Sequence, residues 1–377
     1  MTASATSTQD TVGRKRARRL VVFLLLPLLL ASLAVVVTLW PDRGGIVQDS
    51  LRQTRASGTI TAVSPCPMAP TDCDIAVVAI DDGPGRGTQV QALVSTSNGI
   101  RVGLGDPVML VHRPQRPTVH ERYEVEDRNR TLPLALLCGV FALAVLALSR
   151  WRGIASLAGL AVCLLGLTEF VVPAVISGAN PLLVAVAGGT LIMVIALYLA
   201  HGLNTLTTVA IAGTVSSLAL TGIVGHLSLN LAGITGLNSD NVGYLTGYLH
   251  DVDLQGLLLA GFIIGTLGVL DDVTVTQAAV VWELAAADPT MSRRAMFGAA
   301  LRVGRAHVAS TVNTLVLAYA GTALPLLMLF AAKGTPTDHV LSAAPVAEEI
   351  VRALAGSIGI IAAVPLTTGL AVLTRRP

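Results

Sequence analysis

Eight windows of about 20 mostly apolar residues run through this chain, at roughly 20–40, 131–148, 154–175, 181–200, 206–227, 254–282, 308–331 and 350–374. They constrain the fold more than any other feature. In hydrocarbon there is no water to satisfy a backbone N–H or C=O, so a spanning segment is either a helix or part of a closed barrel. Apolar runs of this length and continuity are helices. Charged residues make up 13% of the chain, against roughly 25% in ordinary soluble domains, which places most of it in lipid. The expected fold is an α-helical polytopic membrane protein of about eight transmembrane helices.

The basic residues orient the bundle. Arg14 to Arg19 include RKRARR, followed by an apolar run that ends at Trp40 and Pro41. That run exceeds the about 7–15 apolar residues of a cleaved signal, so it reads as an uncleaved first helix with its basic flank inside. Arg150, Arg152, Arg293, Arg294, Arg302, Arg305, Arg375 and Arg376 then fall on the same side. Asp240, Asp251, Asp253, Asp338, Glu348 and Glu349 fall on the other. The expected organisation is a cytoplasmic N-terminus at 1–19, a first helix at 20–40, and an extracytoplasmic β domain with linker at 41–130. A seven-helix domain at 131–374 and a cytoplasmic C-terminus at 375–377 complete it. Basic runs are confined to the N-terminus, and no nucleic-acid partner is expected.

Between the first two spans, SGTITAVS, DIAVVAI, QVQALVS and the pair around GLGDP in GIRVGLGDPVMLV alternate apolar and polar residues between turn residues. That is the strand signal. It predicts a small β-barrel-like domain of the OB type, with RYEVEDRNR as the tail leading back to the membrane. Cys66 and Cys73 suit a disulfide staple across a short loop in an oxidising exterior. The competing reading, a metal pair, lacks a nearby His or Cys to complete the set. Cys138 and Cys163 lie in apolar spans as packing residues. The apolar but broken segment between Leu227 and Asp253 reads as interfacial or re-entrant, with Tyr244 and Tyr248 at headgroup depth. Asp288-Pro289 reads as the cap and first residue of a basic helix lying on the inner membrane face.

GVLDDVTVTQAAVVWEL, residues 268–284, raises the functional question. Asp253 and Glu283 bracket 29 helix-compatible residues, about 43 Å of helix, so Asp271 and Asp272 lie near the membrane centre. Uncompensated carboxylates there are costly and usually functional. Two of them cannot both ionise cheaply, because desolvation and mutual repulsion disfavour charge. A bound proton or cation is the expected neutralising species, with Thr274, Thr276 and Gln277 as neighbouring oxygens and donors. Glu169, followed by Pro173 one turn on, and Asn313 in the seventh span are further candidates. The plainer alternative is a protonated Asp bonded to Ser310, Asn313 or Thr314 that only locks helices together. Gly261, Gly265, Gly268, Asp272, Thr276, Ala279 and Glu283 form one small-residue and acidic face, which is expected to meet protein. His250 with Asp251 and Asp253 forms a weaker outer cation candidate.

GVLDDVTVTQAAVVWEL and RVGRAHVASTVNTLVLAYAGTALPLLMLF together resemble the YibE/YibF-like bacterial membrane protein family, in its fused actinobacterial form. The resemblance runs from the polar domain through the last span. It implies a multipass protein of the cytoplasmic membrane with a compact extracytoplasmic domain, and no particular activity. From the residues, a transporter or permease-like protein with a proton- or cation-coupled acidic site is expected. The alternative is an assembly protein whose helices anchor the outer domain as a binding module. No HExxH, GxSxG or P-loop occurs, and an enzyme is not expected. The expected partners are the bilayer, a small solute or ion, and either a second copy of the chain or an extracytoplasmic protein. No cofactor beyond a proton or cation is expected.

Overall fold

The computed structural model describes residues 23, 25–41, 54–66, 73–95, 99–113, 122–237 and 253–374. The basic N-terminus, Tyr244, Tyr248, His250, Asp251 and the last arginines lie outside the described residues. The chain divides into two compact units, Arg43–Arg150 and Met1–Asp42 with Trp151–Pro377.

In the first unit, β1 (Thr54–Pro65), β2 (Cys73–Asp82), β3 (Gln89–Ser95), β4 (Pro107–His112) and β5 (Tyr123–Arg128) close a barrel in the order β1-β2-β3-β5-β4. All pairs are antiparallel except β3 with β5. Alternate residues point inward, and Ile60, Val78, Val94, Val108, Leu110 and Val125 form the core. The sequence reading misplaced one strand. The stretch before GLGDP is irregular, and YEVEDR is the fifth strand instead of a linker. Its outward side chains are charged because they pair: Glu126 with Arg55 at 3.1 Å and Glu124 with Arg113 at 3.0 Å. Asp106 holds the turn before β4, accepting from Gly103 N–H at 2.8 Å and from Arg128 at 2.6 Å. Cys66 and Cys73 form a disulfide, Cα to Cα 5.5 Å, at the ends of β1 and β2. At the end of β5, Asp127 binds the Arg130 guanidinium at 2.6 Å, and this hydrogen bond holds the carboxyl below its ordinary pKa. Helix α2 (Thr131–Ser149) follows, apolar on all sides, with no residue buried. A helix apolar all round belongs in lipid or in a protein core.

The second unit is helical. It comprises α1 (Leu25–Thr38), α3 (Trp151–Gly166), a π turn (Leu167–Val171), α4 (Val172–Ile176), α5 (Pro181–His201) and α6 (Thr205–Leu231). It continues with α7 (Leu254–Ala287), α8 (Arg293–Thr322), α9 (Leu324–Ala332), α10 (Thr337–Ser342) and α11 (Ala344–Thr374). Among the described residues of both units, six single helices are long and apolar enough to cross a bilayer, α8 with α9 forms a pair bent by 55°, and α1 is a shorter apolar helix. These are the helices of a membrane protein. Asn180, Asn204, Asp253 and Ser292 cap α5, α6, α7 and α8, each accepting from the backbone N–H three residues on.

The start of α8 corrects a second expectation. Asp288 does not cap it. Its carboxylate accepts from the Thr290 hydroxyl at 2.6 Å and the Thr290 N–H at 2.9 Å, and the hydroxyl bond above all keeps its pKa low. The basic stretch and the seventh span are one continuous helix of 30 residues from Arg293, because no proline interrupts them before Pro325 in α9.

Helices α6, α7 and α11 pack on one another at the centre, with α5 against α7, α3 against α5, and α8 against α11 and α7. The seams fit by size. A side chain on Gly213 of α6 would overlap the Thr367 hydroxyl of α11, and one on Gly359 of α11 would overlap the Thr221 hydroxyl of α6. Leu259 and Thr266 of α7 fill the space left by Gly225 and Gly356. In lipid, small residues admit this closeness and dispersion rewards it.

Candidate functional site

Asp271 and Asp272 lie side by side near the middle of α7. Neighbouring residues diverge by about 100° on a helix, so the two carboxyls enter different surroundings. Asp271 turns toward α6. Its Oδ1 is enclosed and finds no hydrogen-bond partner among the described residues. The Thr214 hydroxyl lies beside it. Thr214 and Thr274 share a hydrogen bond of 2.7 Å, and Thr274 also donates to the Asp271 carbonyl at 3.2 Å. Both threonine side chains are fully buried.

Asp272 turns the other way. Its side chain is 71% exposed, and one oxygen lies 3.8 Å from His307 Nε2 on α8. Here the structure reverses the expected face. Gly261, Gly265, Gly268, Asp272, Thr276 and Glu283 are exposed, whereas Leu259, Ile263, Leu270 and Val273 are buried. The reason is the division of sizes described above. Helices α6 and α11 bring glycines to the centre, so α7 must bring bulk, and its small stripe is left open. Side chains at Gly261 and Gly268 would meet nothing within 4 Å, while Tyr319 of α8 reaches across at Gly265.

The other candidates separate in the same way. Thr276 stands on the open stripe. Gln277 is 2% exposed and joins three helices. Its Nε2 donates to Ala300 O of α8 at 2.9 Å and to Thr368 Oγ1 of α11 at 2.7 Å. Asn313, Ser310 and Thr314 lie on the exposed side of α8, and Thr314 donates to the Ser310 carbonyl at 3.0 Å. Glu169 is half-buried on the π turn. The turn follows from Pro173, which cannot donate to the Glu169 carbonyl one turn back. Val172 N–H bonds Leu167 O instead. The next residue, Phe170, is buried and stacks on Trp40 at 5.7 Å.

A polar cluster on α11 adds residues whose acids sequence reasoning read only as lying on the outer side. Glu348 is 6% exposed, and its Oε1 has no hydrogen-bond partner among the described residues. Arg352 pairs with Glu349 at 3.2 Å, and its guanidinium lies 5.0 Å from the Phe262 ring of α7 and 5.7 Å from the Tyr319 ring of α8. The four-residue spacing of Glu348 and Arg352, one helical face, was the available signal.

Comparison with known proteins returns one family. A family model described as YibE/F-like protein matches residues 137–377. The match begins within α2 and leaves the barrel outside it, a narrower span than the resemblance suggested. No curated protein and no solved structure matches the chain.

Proposed function

The chain belongs to the family of YibE/F-like proteins, and from the geometry of α7 we propose that it is a proton-coupled membrane transporter. Asp271 is the coupling carboxyl in this reading. The observation that carries it is the enclosed Oδ1 without a partner, set in an apolar helix beside two buried hydroxyls. Mid-membrane acids that lack a basic counterpart mark ion or proton paths. One carboxyl with two buried hydroxyls in an apolar setting suits a proton. Asp272 and His307, on the open side of α7, form a pair through which a proton reaches the helix. The membrane is the cytoplasmic one, with both termini inside, as the arginine distribution supports.

A second reading has its own support. The barrel closes over a complete core of its own, as a binding module anchored by an assembly protein would. In that reading the acids only pin helices.

The pH-dependent carboxyl infrared signal of the purified protein separates the two. We expect a protonated carboxyl band that titrates within the physiological range and disappears in Asp271→Asn, while Thr276→Val keeps it. A spectrum indifferent to pH and to Asp271→Asn would rule out the coupling role. Deletion of residues 41–130 would then be the variant expected to carry the phenotype.

A further inference from the structure

A cavity of about 420 Å³ lies between α1, α5, α6 and α7, walled by Leu28, Val186, Leu218 and Ile263 among others. Small-molecule sites occupy about 300–1,000 Å³, so the volume is that of a ligand. Among the described residues its only polar side chains are Thr190 and His226. Exposed Val186 and Ile223 form the rim, so the cavity opens sideways. A liquid water takes about 30 Å³, and a methylene about as much, which gives room for a single chain of on the order of a dozen carbons.

An apolar slot confers no selectivity by itself in a bilayer, because lipid tails are as apolar as leucine. The polar mouth does. His226 Nε2 accepts from Asn230 Nδ2 at 3.0 Å, and Gln255 of α7 donates to Asn230 Oδ1 at 3.2 Å and to the Ile234 carbonyl at 3.0 Å. With Nε2 accepting, the imidazole proton is on Nδ1. That N–H and the second amide hydrogen of Asn230 remain as two donors for an acceptor from outside.

The far end points at Asp271. On α6, His226, Gly222, Leu218 and Thr214 follow at intervals of four, one helical face. On α7, Ile263, Leu267 and Asp271 do the same. Leu267, 7% exposed and packed toward Gly189 of α5, lies one turn from Ile263 and one turn from Asp271 on that face.

We propose that this slot binds a single-chain amphiphile with a carboxylate head, a fatty-acid-like monoanion, and that it is the substrate whose movement Asp271 couples to a proton. The second half rests on the transporter reading above. The chain lies along α6, its carboxylate takes the two donors at His226 and Asn230, and Leu267 closes the slot from the coupling carboxyl.

The test is fluorescence titration of the full-length protein in phosphatidylcholine vesicles with cis-parinaric acid and with its methyl ester. Saturable binding that favours the acid is expected. Ala219→Phe, at an exposed position on the wall, and Gly222→Leu, whose first carbon would meet only Ile263 at 3.7 Å, each weaken it at least tenfold. His226→Ala removes the preference for acid over ester. Wild-type affinity in both slot-filling variants, or partition equal to that in protein-free vesicles, overturns the proposal. Binding that obeys the slot variants, alongside an infrared spectrum indifferent to Asp271, upholds the site and overturns its coupling to a proton.

Discussion

Gly359→Leu is expected to unfold the centre of the bundle, at a cost of about 3 kcal/mol or more. The Cβ alone would overlap the Thr221 hydroxyl. That hydroxyl cannot simply rotate away, because it donates to the Ser217 carbonyl at 3.0 Å. The Ser217 carbonyl lies 3.5 Å from the same Cβ position, so the α6 backbone blocks the remaining direction. Gly213→Leu should behave alike against Thr367. The Ser217 and Thr367 hydroxyl oxygens are enclosed without a hydrogen-bond partner among the described residues. The seam is therefore held by fit, and size should rescue it. Thr221→Ala combined with Gly359→Ala should recover most of what Gly359→Ala loses alone. Thermal unfolding in detergent measures all of these, and a wild-type melting temperature for Gly359→Leu would refute the argument.

Gly304→Leu should cost roughly 3 kcal/mol by a different route. Its first carbon would lie 2.5 Å from Val364 Cγ1 and 2.6 Å from Gln277 Oε1. Gln277 must then leave, and its bonds to Ala300 and Thr368 go with it. Hydrogen bonds between membrane helices average about 0.6 kcal/mol and reach about 1.7, so Gln277→Met, which keeps the volume and loses both bonds, should cost about 1–2 kcal/mol. This comparison also decides what Gln277 does. As a clasp it shifts the unfolding temperature and leaves the carboxyl titration where it was. A titration altered in Gln277→Met at unchanged stability would make it part of the acidic site.

Strands β1 to β3 were legible because their alternation is clean. β5 was not, because Glu124, Glu126 and Arg128 make YEVEDR look like a linker until their partners on β1 and at the two ends of β4 are known. The α7 faces show a subtler limit. Periodicity separates Gly261, Gly265, Gly268 and Asp272 from Leu259, Ile263 and Leu270 without ambiguity. Which face meets protein depends on what the neighbours bring, and Gly213, Gly225, Gly356 and Gly359 on α6 and α11 brought the small residues. His307 escaped notice for a related reason. In the sequence it belongs to a basic run, and only an unbroken α8 carries it to Asp272.

The π turn before Pro173 is one surplus residue stored inside a helix. Deleting a single residue from 167–171 would let the helix return to regular winding, and because the wide turn already absorbs that residue, the turns on either side would keep their faces. Gly159, which lies against Ala196, and Gly166, which lies against Ile192, would stay turned toward α5. The segment thus holds slack in length. The loss of one residue there is taken up locally, whereas the same deletion in the regular turns of α3 would swing everything before it by about 100°.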